Sequence, residues 1–429
     1  MRRKVGFQDL KTNGASGIRV YYFYDSGGTT HICGVGFKVG AAHDPIIVKG
    51  VAHLAEHLVS RETMAVGMDD VDKLIWRYLG GYDGLKVETG HTSTYYGGPG
   101  LYYGKYMYLV MPMFVGLVRD RLVTKAGMGT EKGAINNEFS LIEEDVASAK
   151  LDLIFYQAMY QTNPIRYSVL GAPLDLSAIT ADRVRRFVRK YYVAQNMFAI
   201  VFGPRREDAV SFAKKYLDDW PYSGSPAEID LSGFDVIPKI EEPRIIELPK
   251  AGLSAYYVQI GFPTECYGSN DDAALDVIAE IIQARLLAIL REGNQDPKKG
   301  VYRSRGFTER TFFHGVVGNW FSTIDKDYAR YGREQTIKEF LRLREEPIPR
   351  MVVTDTAEAL RERFLMKFRD SPEEVVDLVI DATSNNDPDL TRLHAYPERL
   401  GRVTPRKIRD VANKYFNPDG FACAMLLPA

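Results

Sequence analysis

The chain contains one pattern twice. Residues 179–204 are ITADRVRRFVRKYYVAQNMFAIVFGP and residues 403–428 are VTPRKIRDVANKYFNPDGFACAMLLP, and the two align without a gap at an offset of 224 residues (403 − 179). Each copy predicts a helix capped by a threonine, Thr180 or Thr404, and then an apolar strand that ends in proline. The repeat restricts the fold to architectures in which one domain occurs twice.

A second pair of matching segments supports the duplication. Gly36 in HICGVGFKVG and Gly261 in YYVQIGFPTE are 225 positions apart (261 − 36). Strand and helix patterns mix in each half without regular alternation. The sequence therefore predicts an α+β fold with two homologous domains, each a mostly antiparallel sheet with helices packed on one face. In the first domain, RVYYFYDSGGTTHICGVGF predicts a hairpin that turns at residues 25–28.

The boundary between the copies falls in a segment rich in proline, glycine, serine and charge, WPYSGSPAEIDLSGFDVIPKIEEPR. We therefore expect a first domain over residues 1–222, a linker over residues 223–244 and a second domain over residues 245–429. A chain of 429 residues is long enough for two such domains.

The charge and cysteine content exclude several classes of function. A formal net charge of −1 gives no general attraction to nucleic acid or to an anionic membrane. No apolar run is long enough to span a bilayer, and the start MRRKVGFQDLKTNG lacks the apolar run of a secretory signal. The three cysteines are far apart and have no paired spacing. We expect a cytoplasmic protein with neither nucleic-acid nor membrane partners.

The segment GVAHLAEHLVS places two histidines four positions apart, with a glutamate before the second. Imidazoles at this helical spacing can share one zinc ion, and Glu56 would stand where it could take a proton from water. The order H-x-x-E-H is the inverzincin signature; the alternative is a surface helix with chance histidines. The second copy, near residues 278–283, has neither histidine, which favours a function confined to the first half. On a helical wheel, Val51, Leu54, Ala55 and Leu58 form the apolar stripe, opposite His53, Glu56, His57 and Ser60.

A catalytic zinc usually has three protein ligands, so a third is expected elsewhere in the chain. The best candidate lies in GTEKGAINNEFSLIEEDV, which predicts a helix beginning at Thr130. Glu131 and Glu138 fall within the apolar stripe of this helix. A carboxylate in such a stripe needs a strong partner, and zinc is one; the alternative is a stripe edge that reaches solvent.

These motifs resemble those of the pitrilysin/insulinase family of zinc peptidases, which includes the mitochondrial processing peptidases and insulin-degrading enzyme. The resemblance covers nearly the whole chain, and HLAEH is similar to the family's zinc motif. It implies that His53, His57 and Glu138 bind Zn²⁺, that Glu56 is the catalytic base and that Glu131 supports the site from behind its ligands.

The resemblance further implies an arginine and a tyrosine in the second half that hold the substrate backbone. In LLAILREGNQDPKKGVYRSRG the matching positions are Arg291 and Tyr302, with a spacing lengthened by the insertion NQDPKK. Arg285 competes with Arg291 for this role. As another alternative, Arg291 could simply end its helix favourably at the C-terminus.

Family members add the substrate to a sheet edge as an extra strand, a general mode of peptide capture. The resemblance places this edge near Thr89 to Tyr96. The family's asparagine–alanine pair is replaced here by Lys86–Val87, a change that bears on which substrate residues are accepted.

The predicted function is that of a zinc-dependent endopeptidase that hydrolyses peptides or small unfolded proteins bound in extended form. Family chambers consist of four such domains and this chain supplies two, so the resemblance implies a homodimer or a heterodimer with a related protein. The alternative functions are a non-catalytic peptidase-like subunit and a peptide-binding maturation partner that presents a precursor to another enzyme.

Overall fold

Two mixed sheets, each with packed helices, form the frame of the protein in this computed structural model. The structure describes residues 7–11, 18–24, 31–58, 73, 75–77, 81, 85–100, 115–145, 147–203, 207, 211, 215–221, 228–292 and 300–429. The strands are β1 Phe7–Lys11, β2 Arg19–Tyr24, β3 His31–Phe37, β4 Lys86–Thr89, β5 Thr94–Gly100, β6 Met197–Gly203, β7 Arg244–Lys250, β8 Tyr256–Pro263, β9 Val301–Thr311, β10 His314–Thr323 and β11 Ala422–Pro428. The α-helices are α1 Val51–His57, α2 Lys125–Asp145, α3 Ala147–Met159, α4 Pro173–Ala178, α5 Ala181–Tyr191, α6 Asp272–Leu287, α7 Lys326–Glu345, α8 Arg350–Asp370, α9 Pro372–Ser384, α10 Thr391–Gly401 and α11 Pro405–Tyr415.

The chain divides into two compact units, each built from separate stretches of sequence. The first unit comprises residues 1–138, 168–229 and 366–391, and the second comprises residues 139–167, 230–365 and 392–429. Each unit therefore takes a segment from the other half of the sequence. The domain boundaries predicted at residues 222 and 245 divide the sequence into two continuous halves and not into these units, and they stay a prediction.

The first unit contains a sheet with the strand order β1-β2-β6-β3-β5-β4. The β2–β6 pair is parallel and the other neighbouring pairs are antiparallel. The predicted hairpin between β2 and β3 is wrong, because β6 lies between them and pairs with both; its turn at residues 25–28 lies outside the described residues. Every residue of β6 is buried, and a strand so apolar is stable only with neighbours on both sides.

One face of this sheet packs on α1 and α5. Val35 and Phe37 of β3 share a core with the apolar stripe predicted for α1 and with Phe187 of α5. The other face carries the buried side chains of Tyr21 and Tyr95, and α9 lies on that side, where Lys86 of β4 forms an ion pair with its Asp377. Both faces of the sheet are thus covered: helices α1 and α5 of its own half of the sequence pack on one face, as predicted, and α9 from the second half covers the other.

The second unit repeats this strand order without the extra first strand. Its sheet has the order β7-β11-β8-β10-β9, with β7–β11 parallel and the remaining pairs antiparallel. Five strands of the first sheet, β2-β6-β3-β5-β4, have the same order and the same directions. Each unit also carries the predicted threonine-capped helix, since Thr180 Oγ1 accepts from Arg183 N and Thr404 Oγ1 accepts from Lys407 N. The predicted α+β fold with an internal duplication is confirmed.

Helices α3 and α9 occupy equivalent positions in the two copies, and each belongs to the unit formed mainly by the other half of the sequence. Each has 13 residues, and they begin 225 positions apart (372 − 147). Helix α3 belongs to the first half of the sequence but to the second unit, whereas α9 belongs to the second half but to the first unit. Phe155 of α3 lies against Gly261 of β8, on the opposite face from the core that β8 shares with α6.

Among the described helices, none combines the length and the apolar composition that a bilayer span requires.

Candidate metal centre

Helix α1 is fixed at its start by a side chain that the sequence did not point to. Asp44 accepts hydrogen bonds from the backbone N–H groups of Gly50 (2.6 Å) and Ala52 (2.8 Å). Gly50 has φ +87°, and a Cβ there would lie 2.6 Å from the carbonyl oxygen of Leu170. Glycine is therefore required at this position, both for the backbone conformation and for the close approach of the chain. Asp44 is six residues before Gly50, a spacing that matches no common capping pattern.

The polar side of α1 is buried as well as the apolar side. Val51, Leu54, Ala55 and Leu58 have no exposed surface, as the periodicity predicts. On the opposite side His53 and Glu56 are only 6% and 7% exposed, and His57 is partly buried. This burial argues against a surface helix with chance histidines, because ionisable groups are rarely buried without a partner. Ser60 lies outside the described residues.

Helix α2 brings Glu131 and Glu138 to the motif, although it begins earlier than predicted. It starts at Lys125, and the capping threonine is Thr124, whose Oγ1 accepts from Gly127 N at 3.0 Å. Thr130, predicted to start the helix, lies inside it and donates to the carbonyl of Ala126. A mid-helix threonine commonly bonds to the carbonyl four residues earlier, so its presence is a weak indicator of a helix start.

Three side chains predicted as metal ligands come together. Glu138 Oε2 lies 3.7 Å from His53 Nε2 and 3.6 Å from His57 Nε2. One ligand atom from each of the three residues lies within 4.8 Å of the others. Zinc bonds of about 2.0–2.2 Å in a tetrahedral site place neighbouring ligand atoms roughly 3.4 Å apart. The two distances from Glu138 exceed this spacing by only about 0.2–0.3 Å, so small side-chain movements would let the residues fit zinc.

Glu131 lies behind His57 rather than among the ligands. Its Oε2 is 3.0 Å from His57 Nδ1, and Glu131 itself is 2% exposed. A neutral His57 donates from Nδ1 to this carboxylate and keeps its Nε2 lone pair for the side that faces Glu138. A carboxylate that orients a ligating histidine in this way is a regular feature of zinc sites.

The electrostatic balance of the site favours a cation. Burial lowers the pKa of His53 to about 4, and burial raises the pKa of Glu56 to about 7. Burial also lowers the pKa of His57, but its hydrogen bonds to Glu131 and Glu138 outweigh this effect and raise it to about 10. The hydrogen bond to His57 lowers the pKa of Glu138. Three carboxylates surround two imidazoles, so the site has an excess of acidic groups that a divalent metal ion would partly offset.

Glu56 lies beside the three candidate ligands and is held by Thr89, which the sequence pointed to only as part of the substrate edge. Its Oε2 is 3.7 Å from His53 Nε2, and it accepts a hydrogen bond from Thr89 Oγ1 at 3.2 Å. Thr89 is the last residue of β4. The two residues are 33 positions apart, so no local pattern relates them.

The predicted substrate edge is shorter than expected. Strand β4, Lys86–Thr89, ends the sheet on this side among the described strands. Thr94–Tyr96 belong to β5, which pairs with both β3 and β4 and so offers no free edge. The prediction that the edge extends from Thr89 to Tyr96 is therefore wrong, because the chain turns at residues 90–93 and continues as the next strand inward.

The two substrate-binding residues predicted in the second half belong to the second unit. Arg291 is exposed at the end of a π-helical segment, Ala288–Glu292. Tyr302 lies in β9, and its side chain is outside the described residues. Arg285, the competing choice, is paired with the buried carboxylate of Glu339 at 3.2 Å. This pairing gives Arg285 a structural role and favours Arg291 for an external partner.

Comparisons with known proteins agree with this fold. Residues 178–296 match the family model described as the Peptidase M16 inactive domain. Over 163 residues the chain is 28% identical to an uncharacterized zinc protease of Streptomyces coelicolor, a match that covers 37% of this chain and 33% of that protein. Over 221 residues it is 23% identical to the mitochondrial-processing peptidase subunit beta of Saccharomyces cerevisiae, covering 50% and 45% of the two chains. These matches span between a third and a half of the relatives' own length.

The fold is similar to that of a solved protease from Helicobacter pylori, with a TM-score of 0.86 and 17% identity over 99% of this chain and 100% of that chain. The resemblance to M16 zinc peptidases, the family of pitrilysin and insulinase, is confirmed. The segment matched by the inactive-domain model does not contain His53, Glu56, His57 or Glu138.

Proposed function

We propose that the protein is a zinc-dependent endopeptidase that hydrolyses peptides or small unfolded proteins held in extended form. The observation that carries this proposal is the convergence of His53, His57 and Glu138, with one ligand atom from each within 4.8 Å of the others. The relatives named zinc proteases support the choice of metal. When bound, zinc would polarise a scissile carbonyl and make a water molecule more acidic.

The residues around the candidate metal centre have separate roles in the proposed reaction. His53, His57 and Glu138 hold the ion, and Glu131 orients His57. Glu56 takes a proton from the attacking water and passes it to the leaving amine as the peptide bond breaks. Its burial beside the ligands suits this role, because a carboxylate with a raised pKa can both accept and return a proton near neutral pH.

We infer that the substrate lies along β4 as an added strand. This strand ends the sheet among the described strands and its last residue contacts Glu56, so a peptide paired with it would run past the proposed base. Arg291 and Tyr302 are proposed to hold the substrate backbone. The proposed enzyme works as a pair of chains, either a homodimer or a heterodimer with a related protein, and the name of the yeast relative as a subunit supports this. A cytoplasmic location stays a prediction from the sequence.

Cleavage of a mixed peptide library tests the function. The purified protein should cleave library peptides, lose this activity with a chelator and regain it with zinc. Glu56→Gln should keep its zinc and lose activity by roughly 10²–10⁴-fold, the usual contribution of a general acid–base group. Cleavage that persists in Glu56→Gln would refute the assignment of the base.

The same experiment separates the alternatives. A protein without bound metal after zinc loading would be a non-catalytic peptidase-like subunit. A protein that binds zinc and peptides without cleaving them would be a peptide-binding maturation partner.

A further inference from the structure

Thr89 makes a direct contact between the edge strand and the proposed base. Its Oγ1 donates to Glu56 Oε2 at 3.2 Å, and Glu56 is 7% exposed. A buried carboxylate that keeps a hydroxyl donor has fewer orientations than one in water. The contact therefore bears on how the Glu56 carboxylate is oriented beside His53.

The pleat of β4 directs this hydroxyl toward α1. Lys86 and Glu88 lie on one side of the strand, where Lys86 pairs with Asp377 of α9. Val87 lies on the other side and packs against the core that contains α1. Because successive strand residues point to opposite faces, Thr89 shares the side of Val87.

Backbone hydrogen bonds connect the end of β4 to the segment that precedes α1. After β4 the chain turns, and the carbonyls of Gly90 and His91 accept from the N–H groups of Ala41 and Ala42, each at 2.9 Å. Two residues later Asp44 caps the start of α1 through Gly50 and Ala52. The segment that leads into α1 is therefore tied directly to the residues that follow Thr89.

We propose that Thr89 is a positioning residue that fixes the orientation of the Glu56 carboxylate, whose Oε2 accepts the Thr89 hydrogen bond and also lies 3.7 Å from His53 Nε2, toward the water to be deprotonated. This inference rests on the proposed function and deepens it. Thr89 keeps its own proton throughout and only donates the hydrogen bond. Because Thr89 ends the strand on which the peptide is proposed to add, substrate pairing and alignment of the base are coupled at this residue.

Two variants at this position separate the hydroxyl from the shape of the side chain. Thr89→Val keeps the branched shape and removes the donor, whereas Thr89→Ser keeps the donor. We expect Thr89→Val to lower kcat about tenfold, the worth of one hydrogen bond, with KM and zinc content unchanged. The kcat of Thr89→Ser should stay within about threefold of the wild-type value. Thr308→Val is the matched control, because Thr308 of β9 bonds to Asp276 in the second unit; its kcat per folded molecule should not change.

A double variant and a structural measurement complete the test. In a Glu56→Gln background, Thr89→Val should cause no further loss, because Thr89 is proposed to act only through Glu56. Crystal structures of the zinc-free variants should show the Glu56 carboxylate displaced in Thr89→Val and in place in Thr89→Ser. Wild-type activity in Thr89→Val, equal losses in both variants, or an unmoved carboxylate would each overturn the inference. The crystal structures decide this even if the wild type cleaves no peptide, so failure of the proposed function is distinguishable.

Discussion

His57 and Glu131 form a pair behind the candidate metal centre, with His57 Nδ1 3.0 Å from a Glu131 oxygen. The pair joins the last residue of α1 to the second turn of α2, so it fixes the two helices that carry the proposed ligands. The other ring nitrogen of His57 is then directed at Glu138, 3.6 Å away. In the proposed function, Glu131 would therefore contribute to metal binding without touching the metal.

Glu131→Gln should weaken zinc binding by about 10–100-fold, because the amide is a poorer acceptor for the imidazole and leaves its orientation less defined. Competition with a chromophoric chelator measures the affinity. Glu358→Gln, a change at an exposed position of α8, is the control and should bind zinc like the wild type. Unchanged affinity in Glu131→Gln would mean that Glu138 and the histidines are oriented by packing alone.

Asp44→Ala should destabilise the first unit by about 1–2 kcal/mol, since two backbone N–H groups at the start of α1 lose their acceptor. Asp44→Asn keeps one acceptor oxygen and should lose less stability than Asp44→Ala. Urea denaturation followed by tryptophan fluorescence gives the free energies of unfolding. Equal stability of the wild type and Asp44→Ala would show that water replaces the cap without cost.

Substitution of Arg291 should affect substrate binding, whereas substitution of Arg285 should affect stability. Arg291→Ala removes an exposed side chain and is expected to raise KM for peptide cleavage while leaving the melting temperature unchanged. Arg285→Ala leaves the buried Glu339 without this partner and should lower the melting temperature. If KM rises only in Arg285→Ala, the substrate-binding role belongs to Arg285 instead.

Asp271 should make stability depend on pH in the acid range. Burial raises its pKa, but hydrogen bonds from Lys407, Lys414 and Tyr415 outweigh this and lower it to about 2. A carboxyl with a lowered folded-state pKa stabilises the fold above its unfolded value near 3.8, and this contribution disappears as pH falls toward 2. Asp271→Asn should therefore be less stable than the wild type near neutral pH by roughly 1 kcal/mol, a value that allows for solvent screening.

Denaturant titrations between pH 2 and pH 6 measure this difference. The difference in the free energy of unfolding between the wild type and Asp271→Asn should become smaller as the pH falls toward 2. A gap that stays constant with pH would show that the contribution of Asp271 does not depend on its charge.

The sequence predicted the parts of the site that follow from local periodicity. The apolar stripe of α1 and the separate polar side were readable from residues 50–60, since helix geometry alone fixes which residues share a face. The spacing within α2 likewise placed Glu131 and Glu138 on one side. The duplication predicted the repeated strand order, because each copy must bury the same apolar segments.

Contacts between residues that are far apart in the sequence could not be predicted from local sequence patterns. Nothing near β2 or β3 shows that β6, more than 150 residues later, pairs between them. The hydrogen bond of Thr89 to Glu56 depends on how β4 meets α1. The exchange of α3 and α9 between the halves depends on tertiary packing, because the local sequence of a helix does not show which of two similar sheets it covers.

The most direct test of the central claim is the zinc content and zinc position of the purified protein. Wild-type protein loaded with zinc should hold about one ion per chain, and its anomalous diffraction signal should lie between His53, His57 and Glu138. Glu138→Ala and His57→Ala should each lose the ion on dialysis. Zinc bound elsewhere, or retained with unchanged affinity in Glu138→Ala, would contradict the account.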